Sequence, residues 1–490
     1  MSYYIGIDLG TSSVKLCLTD AQGMLIREAS RSYALLQPNP GWKEIEPETW
    51  WAAFCEALAE LLENQDGSLI RGIGVTGQMH TLILLDEAGE VVRPALMWND
   101  TRTADLVPCM KAAIQDTEIS YLNRILSTGS PAANMLWVKK NEPENFLRIR
   151  KFLIGPDYIV YRLTGTYGTD FCEASTSSMY DTYQRCWSPV MQKILGLPDD
   201  VYPEVKGSAE VAGTLLPELA DRFHINSDAV VIVGTGDNPA ASIPTGCLGR
   251  QYPVFSMGTS GVLMFPRKTL DYTAKGKNIL FGFDRENCNI LVQGVVQSCG
   301  STLSWWKQGI LESTDFSQID IMINTDKLGQ NPLLFYPHLV GDKTIYADPT
   351  LRGAFIGLST DTTRADMTQA VMEGIAFALK QLIQEMNLLQ TGLTELKVIG
   401  GGAKSRVWMQ ILADVTGLTI AQMDGKGGAG YGMALLAACT CGEIASTEEI
   451  SDRAVEVKER FWSRPLYTSA YEKKYMQYLQ IHDAMKKIMV

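Results

Sequence analysis

Ile5-Gly6-Ile7-Asp8-Leu9-Gly10-Thr11-Ser12-Ser13-Val14-Lys15 is the stretch on which the reading of this chain turns. A short apolar run ends at Asp8, turns through Gly10, Thr11 and Ser12, and resumes as the alternating run Val14 to Leu18. The pattern predicts strand, tight turn, strand: glycine frees the backbone at the bend, and hydroxyls crown the tip. Such a turn offers N–H groups and hydroxyls to an anion, and a carboxylate beside it suits a hydrated Mg²⁺. A plain hairpin with a polar tip explains a single copy equally well.

A second copy changes the balance. Val254 to Phe265 repeats the order of events, an apolar strand, then Gly258-Thr259-Ser260, then another apolar strand. Two such turns in opposite halves predict two related domains. Their tips would face one another across a cleft, which resembles the actin-like ATPases, where two such loops clasp a nucleotide's phosphates. The expected fold class is therefore α/β, with two actin-like (ribonuclease H-like) domains flanking a central cleft.

Composition agrees with two domains. A chain of 490 residues exceeds a single core and suits two of roughly 240 each. The net charge of −12 argues against an extended basic face for nucleic acid or anionic membrane, and leaves room for a local phosphate site. Ten cysteines lie without metal-ligand spacing, Cys439 and Cys441 being the nearest pair. With no leader and no apolar run of membrane-spanning length expected, a cytoplasmic protein with reduced thiols is the economical reading.

Further candidates follow along the chain. Pro47 opens a helix, and Trp50, Trp51, Phe54, Leu58 and Leu61 recur on it at helical spacing, as core residues do. Ile70 to Thr76 is a strand that delivers Gly77-Gln78-Met79-His80. Ala95 to Trp98 runs into Asn99-Asp100-Thr101-Arg102, ligand chemistry at a strand end or a capped helix start. Residues 103–230 read as mostly helical, with Thr169 to Thr176 a polar loop. Val230 to Val233 opens into Gly234-Thr235-Gly236-Asp237-Asn238, where Asp237 is either a helix cap or a functional carboxylate. Asp366 to Leu389 is the longest expected helix, with one buried stripe. Gly400-Gly401-Gly402-Ala403 separates a strand from a helix and lets a flat ligand or phosphate approach backbone. Gly425 to Gly432 is expected as a flexible loop, and the tail from Thr447 as helical and peripheral.

Taken in order, these motifs identify a resemblance to the FGGY family of carbohydrate kinases, and within it to the xylulose kinases. It rests on GIDLGTSSVK, GWKEIEP, GQMH, WND-x-R, NEPE, P-x-DY with LTG, GTGDN, SMGTS, RG-x-F-x-GL near Arg352 and GGGAKS. Gln78-Met79-His80 carries the subfamily signal. The chain departs from the family pattern at Asn134, at Asp342-Lys343 and at Asp424. The Asp342-Lys343 change falls in a loop bordering the expected cleft, so it bears on the choice of sugar.

The resemblance implies transfer of the γ-phosphoryl group of ATP to D-xylulose, giving the 5-phosphate, with Mg²⁺ as cofactor. It implies Asp237 as catalytic base and Asp8 as the carboxylate that supports Mg²⁺. Gln78, Met79, His80, Asp100, Asp237 and Asn238 would line the sugar pocket. Gly10, Thr11, Ser12, Lys15, Gly258, Thr259, Ser260, Gly401, Gly402 and Ala403 would bind ATP. The turn Thr245 to Gly249 before the second Gly-Thr-Ser strand sets the expected boundary, with a sugar-binding domain at 1–246 and an adenosine-binding domain at 247–490, and the resemblance allows a homodimer. Competing readings are an FGGY kinase for ribulose, gluconate or a polyol, an actin-like ATPase that switches partners, and a sugar-binding regulator without catalysis.

Overall fold

Seven strands form a sheet in each half of the chain, and in both sheets the Gly-Thr-Ser hairpin lies inside rather than at an edge. The computed structural model describes residues 2–312, 317–425 and 428–488. In the first half Tyr3–Leu9 runs antiparallel to Ser13–Asp20 and parallel to Ile70–Gly77. Leu25–Ser32 lies outside Ser13–Asp20, while Val230–Ile232 and then Val211–Thr214 extend the other flank. In the second half Val254–Met257 runs antiparallel to Gly261–Arg267 and parallel to Glu395–Ile399. Cys288–Val296 lies outside that hairpin, while Thr419–Gly425 and then Val455–Phe461 extend the other flank. Each sheet thus has a central hairpin, a third antiparallel strand beside it, parallel strands opposite, and an antiparallel edge strand. The α/β architecture of two repeated units expected from the paired turns is what the backbone adopts.

The halves are interlocked. Tyr4, Ile232 and Ala240 share one buried cluster with Val254, Ile279, Met433 and Leu436. The helix Ala429–Thr440, late in the chain, packs against Tyr3–Leu9 and Ile70–Gly77 of the first sheet. Close backbone approach makes this possible: a Cβ at Gly74 would sit 2.4 Å from the Met433 carbonyl oxygen, and one at Gly432 2.3 Å from that of Ala240. The flexible loop expected over 425–432 is corrected here, because Ala429 to Gly432 are the first turn of this helix. Its glycines serve packing rather than flexibility; residues 426 and 427 lie outside the described residues.

The longest helix spans Arg364–Glu385, a few residues earlier than expected, because Thr363 and Asp366 form a reciprocal capping box at its start. It is buried all round from Thr368 to Ile383, not along one stripe. That burial includes Glu373, which accepts hydrogen bonds from Gln369 Nε2 at 2.7 Å and Tyr471 Oη at 2.8 Å and pairs with Lys474. Removing one partner of a buried pair strands the other. Glu373→Ala is therefore expected to cost about 3–5 kcal/mol, read as a lowered midpoint in urea unfolding.

Two regions differ from their sequence reading. Within 103–230, Lys151–Ile154 is a strand paired with Leu82–Leu85 in a separate, four-stranded sheet. The polar loop expected over 169–176 is the end of the strand Gly168–Asp170 followed by the buried helix Phe171–Thr176. Asp170 caps that helix, its carboxylate accepting the Glu173 N–H at 2.9 Å. The C-terminal tail is not peripheral either. Val455–Phe461 is the edge strand of the second sheet, and helix Pro465–Leu479 buries Tyr471, Tyr475 and Tyr478 fully.

Candidate active site

The strand Tyr3–Leu9 ends by carrying Asp8 to the sheet's end, and Lys15 stands directly across the hairpin from it. Burial pushes the Asp8 carboxyl up, and the Lys15 ammonium opposes that shift. The first turn of helix Ala429–Thr440 abuts this point, a Cβ at Gly430 lying 3.5 Å from that of Asp8. Beyond Asp8 the tip is open: Thr11 is half-buried, Ser12 exposed, and Thr11 Oγ1 accepts a 3.1 Å hydrogen bond from the Trp98 indole.

Asp237 is the first residue of helix Asp237–Ser242, and Gly236 rather than Asp237 occupies the cap position. Glycine has no side chain to cap with, so Asp237 enters as a first-turn acid rather than as the cap residue itself. Burial pushes its pKa up to about 6, and the nearby Asp8 charge adds to the rise. The Asn238 N–H and the Lys277 ammonium act the other way. Asp8 and Asp237 thus face each other closely enough to repel.

The strand Ile70–Gly77 brings Gln78, Met79 and His80 to the same place. The Gln78 N–H donates to the Leu9 carbonyl at 2.8 Å, locking this strand end to that of Asp8. Met79 Sδ accepts from Asn238 Nδ2 at 3.6 Å. Gly236 is required beside it, because a Cβ there would lie 2.6 Å from Met79 Cγ. His80 holds a left-handed φ of 69°, rare for a residue with a side chain and concentrated at functional sites. Its N–H donates to Glu173 Oε2 at 3.2 Å, and its Nε2 lies 2.8 Å from Lys277 Nζ. Burial and the Lys277 charge push the imidazole's pKa well down, so it is neutral.

Glu173 and Lys277 were not singled out in the sequence. Glu173 is completely buried, and burial beside Asp170 and Asp157 drives its carboxyl well up. A usable signal did exist: Asp170 followed three residues later by Glu173 is a helix-start pattern. Lys277 carried none, since a lysine at a strand start is ordinary. Lys343 also faces this cluster, acting on both His80 and Lys277.

Asp100 is expected in the sugar pocket, and its carboxylate is fully engaged by its neighbours. Its side chain is wholly inaccessible. One oxygen accepts Arg102 N at 2.8 Å and Nε at 2.9 Å, the other Lys43 N at 2.6 Å and Arg102 Nη2 at 2.8 Å. Four donors fill a carboxylate's capacity. As packed, Asp100 orients Arg102 over the Trp42 ring, at 3.9 Å.

In the second half, Gly258 and Thr259 are exposed at their turn, with Ser260 half-buried. The carbonyls of Gly258 and Thr259 accept the N–H groups of Gly300 and Ser301 at 3.0 and 2.9 Å, which ties the turn down. Gly400 to Ala403 lies against the strand entering that turn. A Cβ at Gly402 would stand 3.0 Å from that of Met257, whereas one at Gly401 meets nothing within 4 Å. A flat group therefore has open backbone to approach beside the second turn. Ala403 is buried, its carbonyl held by Gln422 Nε2 at 2.8 Å.

Comparison with known proteins gives this geometry a context. The family model for the FGGY family of carbohydrate kinases, N-terminal domain, matches residues 3–244, and that for the C-terminal domain matches 254–441. The xylulose kinase of Staphylococcus xylosus is 33% identical over 485 residues, covering 99% of this chain and 100% of the relative. That of Bacillus subtilis is 32% identical over 490 residues, covering 100% and 98%. The crystal structure of a xyloylose kinase from Brucella ovis superposes with a TM-score of 0.88 at 31% identity, covering 99% of this chain and 100% of the other.

Proposed function

The chain belongs to the FGGY family of carbohydrate kinases, and from that premise we propose that it transfers the γ-phosphoryl group of ATP to the 5-hydroxyl of D-xylulose. One observation carries the reading: Met79 and His80 converge with Asp237 and Asn238 on a single spot, Met79 through Asn238 and His80 through the Lys277 that also feels Asp237. An ATPase without a sugar acceptor has no need of that convergence.

In this reading Asp237 accepts the proton as the hydroxyl attacks, which a carboxylate can do because bond formation acidifies the hydroxyl. Met79, His80 and Asn238, with the buried Gln78 behind them, shape and orient the acceptor. The Gly10-Thr11-Ser12 and Gly258-Thr259-Ser260 turns donate to the phosphates, and Lys15 adds positive charge near them. Gly401, Gly402 and Ala403 take the adenosine. The residues suit Mg²⁺ held through water: Asp8 is an oxygen donor facing a second carboxylate, and no closed set of three metal ligands occurs among the described residues. When bound, the ion neutralises phosphate charge. The division at residue 246 and a cytoplasmic setting belong to the same proposal, and the latter draws support from ten free cysteines.

The direct test is ADP release with Mg·ATP against D-xylulose, L-xylulose, D-ribulose, L-ribulose, gluconate, glycerol and xylitol. D-xylulose is expected to give the highest kcat/KM. A higher value for another acceptor would move the substrate, with Lys343 the first residue to examine. The pH profile adds a second check. Asp237 must be ionised to accept a proton and is protonated below its pKa, so kcat/KM should fall as pH drops through about 6. An acid limb near 4 would instead mean that burial and Asp8 do not act on the base.

A further inference from the structure

We propose that Lys277 is a positioning residue of the acceptor site: reaching over from the second half, its ammonium fixes the tautomer of His80 and balances the carboxylate of Asp237. The proposal rests on the reading of His80 and Asp237 as that site. Lys277 begins Lys277–Gly282, the outermost strand of the second sheet, where a lysine would ordinarily extend into water. Instead its Nζ lies 2.8 Å from His80 Nε2, across 197 positions of sequence.

Burial lowers the Lys277 pKa and the Asp237 charge opposes that shift; as an ammonium, the group has three N–H donors and no acceptor. The imidazole nitrogen it meets must therefore accept, and the single proton of the neutral ring sits on Nδ1. Nδ1 is buried and makes only a loose approach to the Thr176 backbone, with no well-formed hydrogen bond among the described residues. The N–H so placed lies toward the Thr176 backbone, so the tautomer also sets the orientation in which the ring is held. Site geometry gives Lys277 its second task. Glu173, Asp237 and Cys172 surround it on the first half's side, and Lys343 is a like charge acting on it from its own half. Asp8, Asp170 and Asp157 stand behind Asp237 and Glu173, so Lys277 is set against a cluster of acidic groups. Because the ammonium comes from one half and the imidazole from the other, the acceptor site is complete only with the halves packed together.

The test uses the full chain labelled with ¹⁵N-histidine. With only four histidines, the His80 signals are assigned by their loss in His80→Gln. The wild type is expected to show a neutral His80 ring protonated on Nδ1. In Lys277→Met the ring should move to the other tautomer or a mixture. The acceptor KM should rise about 10- to 100-fold with the ATP KM unchanged, and Lys277→Arg should restore the tautomer and part of the KM. A wild-type ring protonated on Nε2 overturns the proposal, and that spectrum decides the point even if Lys277→Met fails to fold. A Lys277→Met chain with unchanged tautomer or unchanged acceptor KM overturns it as well. The spectra are recorded without substrate, so they hold whether or not Asp237 proves to be the base; retained turnover in Asp237→Asn would instead defeat the acceptor-site reading.

Discussion

Asp237→Asn should lower kcat about a thousand-fold or more while changing the acceptor KM only a few-fold. The amide keeps the shape of the carboxylate and can still hydrogen-bond a sugar hydroxyl, but it cannot take the proton. The folded protein should not suffer. Asp237 is held ionised in a partly buried site against the charge of Asp8, so a neutral residue there relieves a repulsion. The expected combination is a chain that melts no lower than wild type, binds its acceptor and turns over almost nothing. Steady-state ADP release beside a thermal melt reads all three. Retained turnover would mean that the base is another group; lost turnover with a much lower melting temperature would mean that Asp237 is a structural residue.

Gly6→Ala should destabilise the fold by about 3 kcal/mol or more, at the upper end for a single added methyl group. A Cβ at Gly6 would stand 1.8 Å from the Gly430 carbonyl oxygen and 2.9 Å from the Ala434 nitrogen. Both are backbone atoms of a helix that itself carries glycines for close approach, so no side chain can swing away. The strand would have to part from the helix, and that strand carries Asp8 next to its end. Calorimetric melting should therefore fall steeply in Gly6→Ala, with activity lost alongside. Gly309→Ala is the control: a Cβ there meets nothing closer than 3.6 Å, and no loss of stability is expected. Equal melting of Gly6→Ala and wild type would show that the helix is not seated on the first sheet as described.

The two hairpins were legible because the signal for each is local. Glycine and hydroxyls at a turn between alternating apolar runs act over a few residues, and the same is true of Gly165 closing the helix Asp157–Thr164 in the left-handed conformation. Where the reading missed, local polarity misled it. Val455–Phe461 is rich in charge because it is an edge strand with one face to solvent, and its alternating burial is the period of a strand. Phe171–Thr176 looked like a surface loop because it carries Glu173, whose burial is possible only among the polar partners that the rest of the site supplies.

Sequence alone determined the paired Gly-Thr-Ser units, the order of motifs that marks the FGGY family, and the two aspartates on which the chemistry is proposed to turn. Each of these is a property of a short segment or of the order of segments, and neither depends on which surfaces meet. Tertiary structure alone decided that Gly430 sits on Gly6, that Asp8 faces Asp237, that Asp100 is spent on Arg102, and that Lys277 reaches His80. Periodicity reports that a face is apolar but not what covers it. Contacts across hundreds of residues are settled by packing two sheets and one late helix into a common core, a balance of burial and steric exclusion that no local pattern contains.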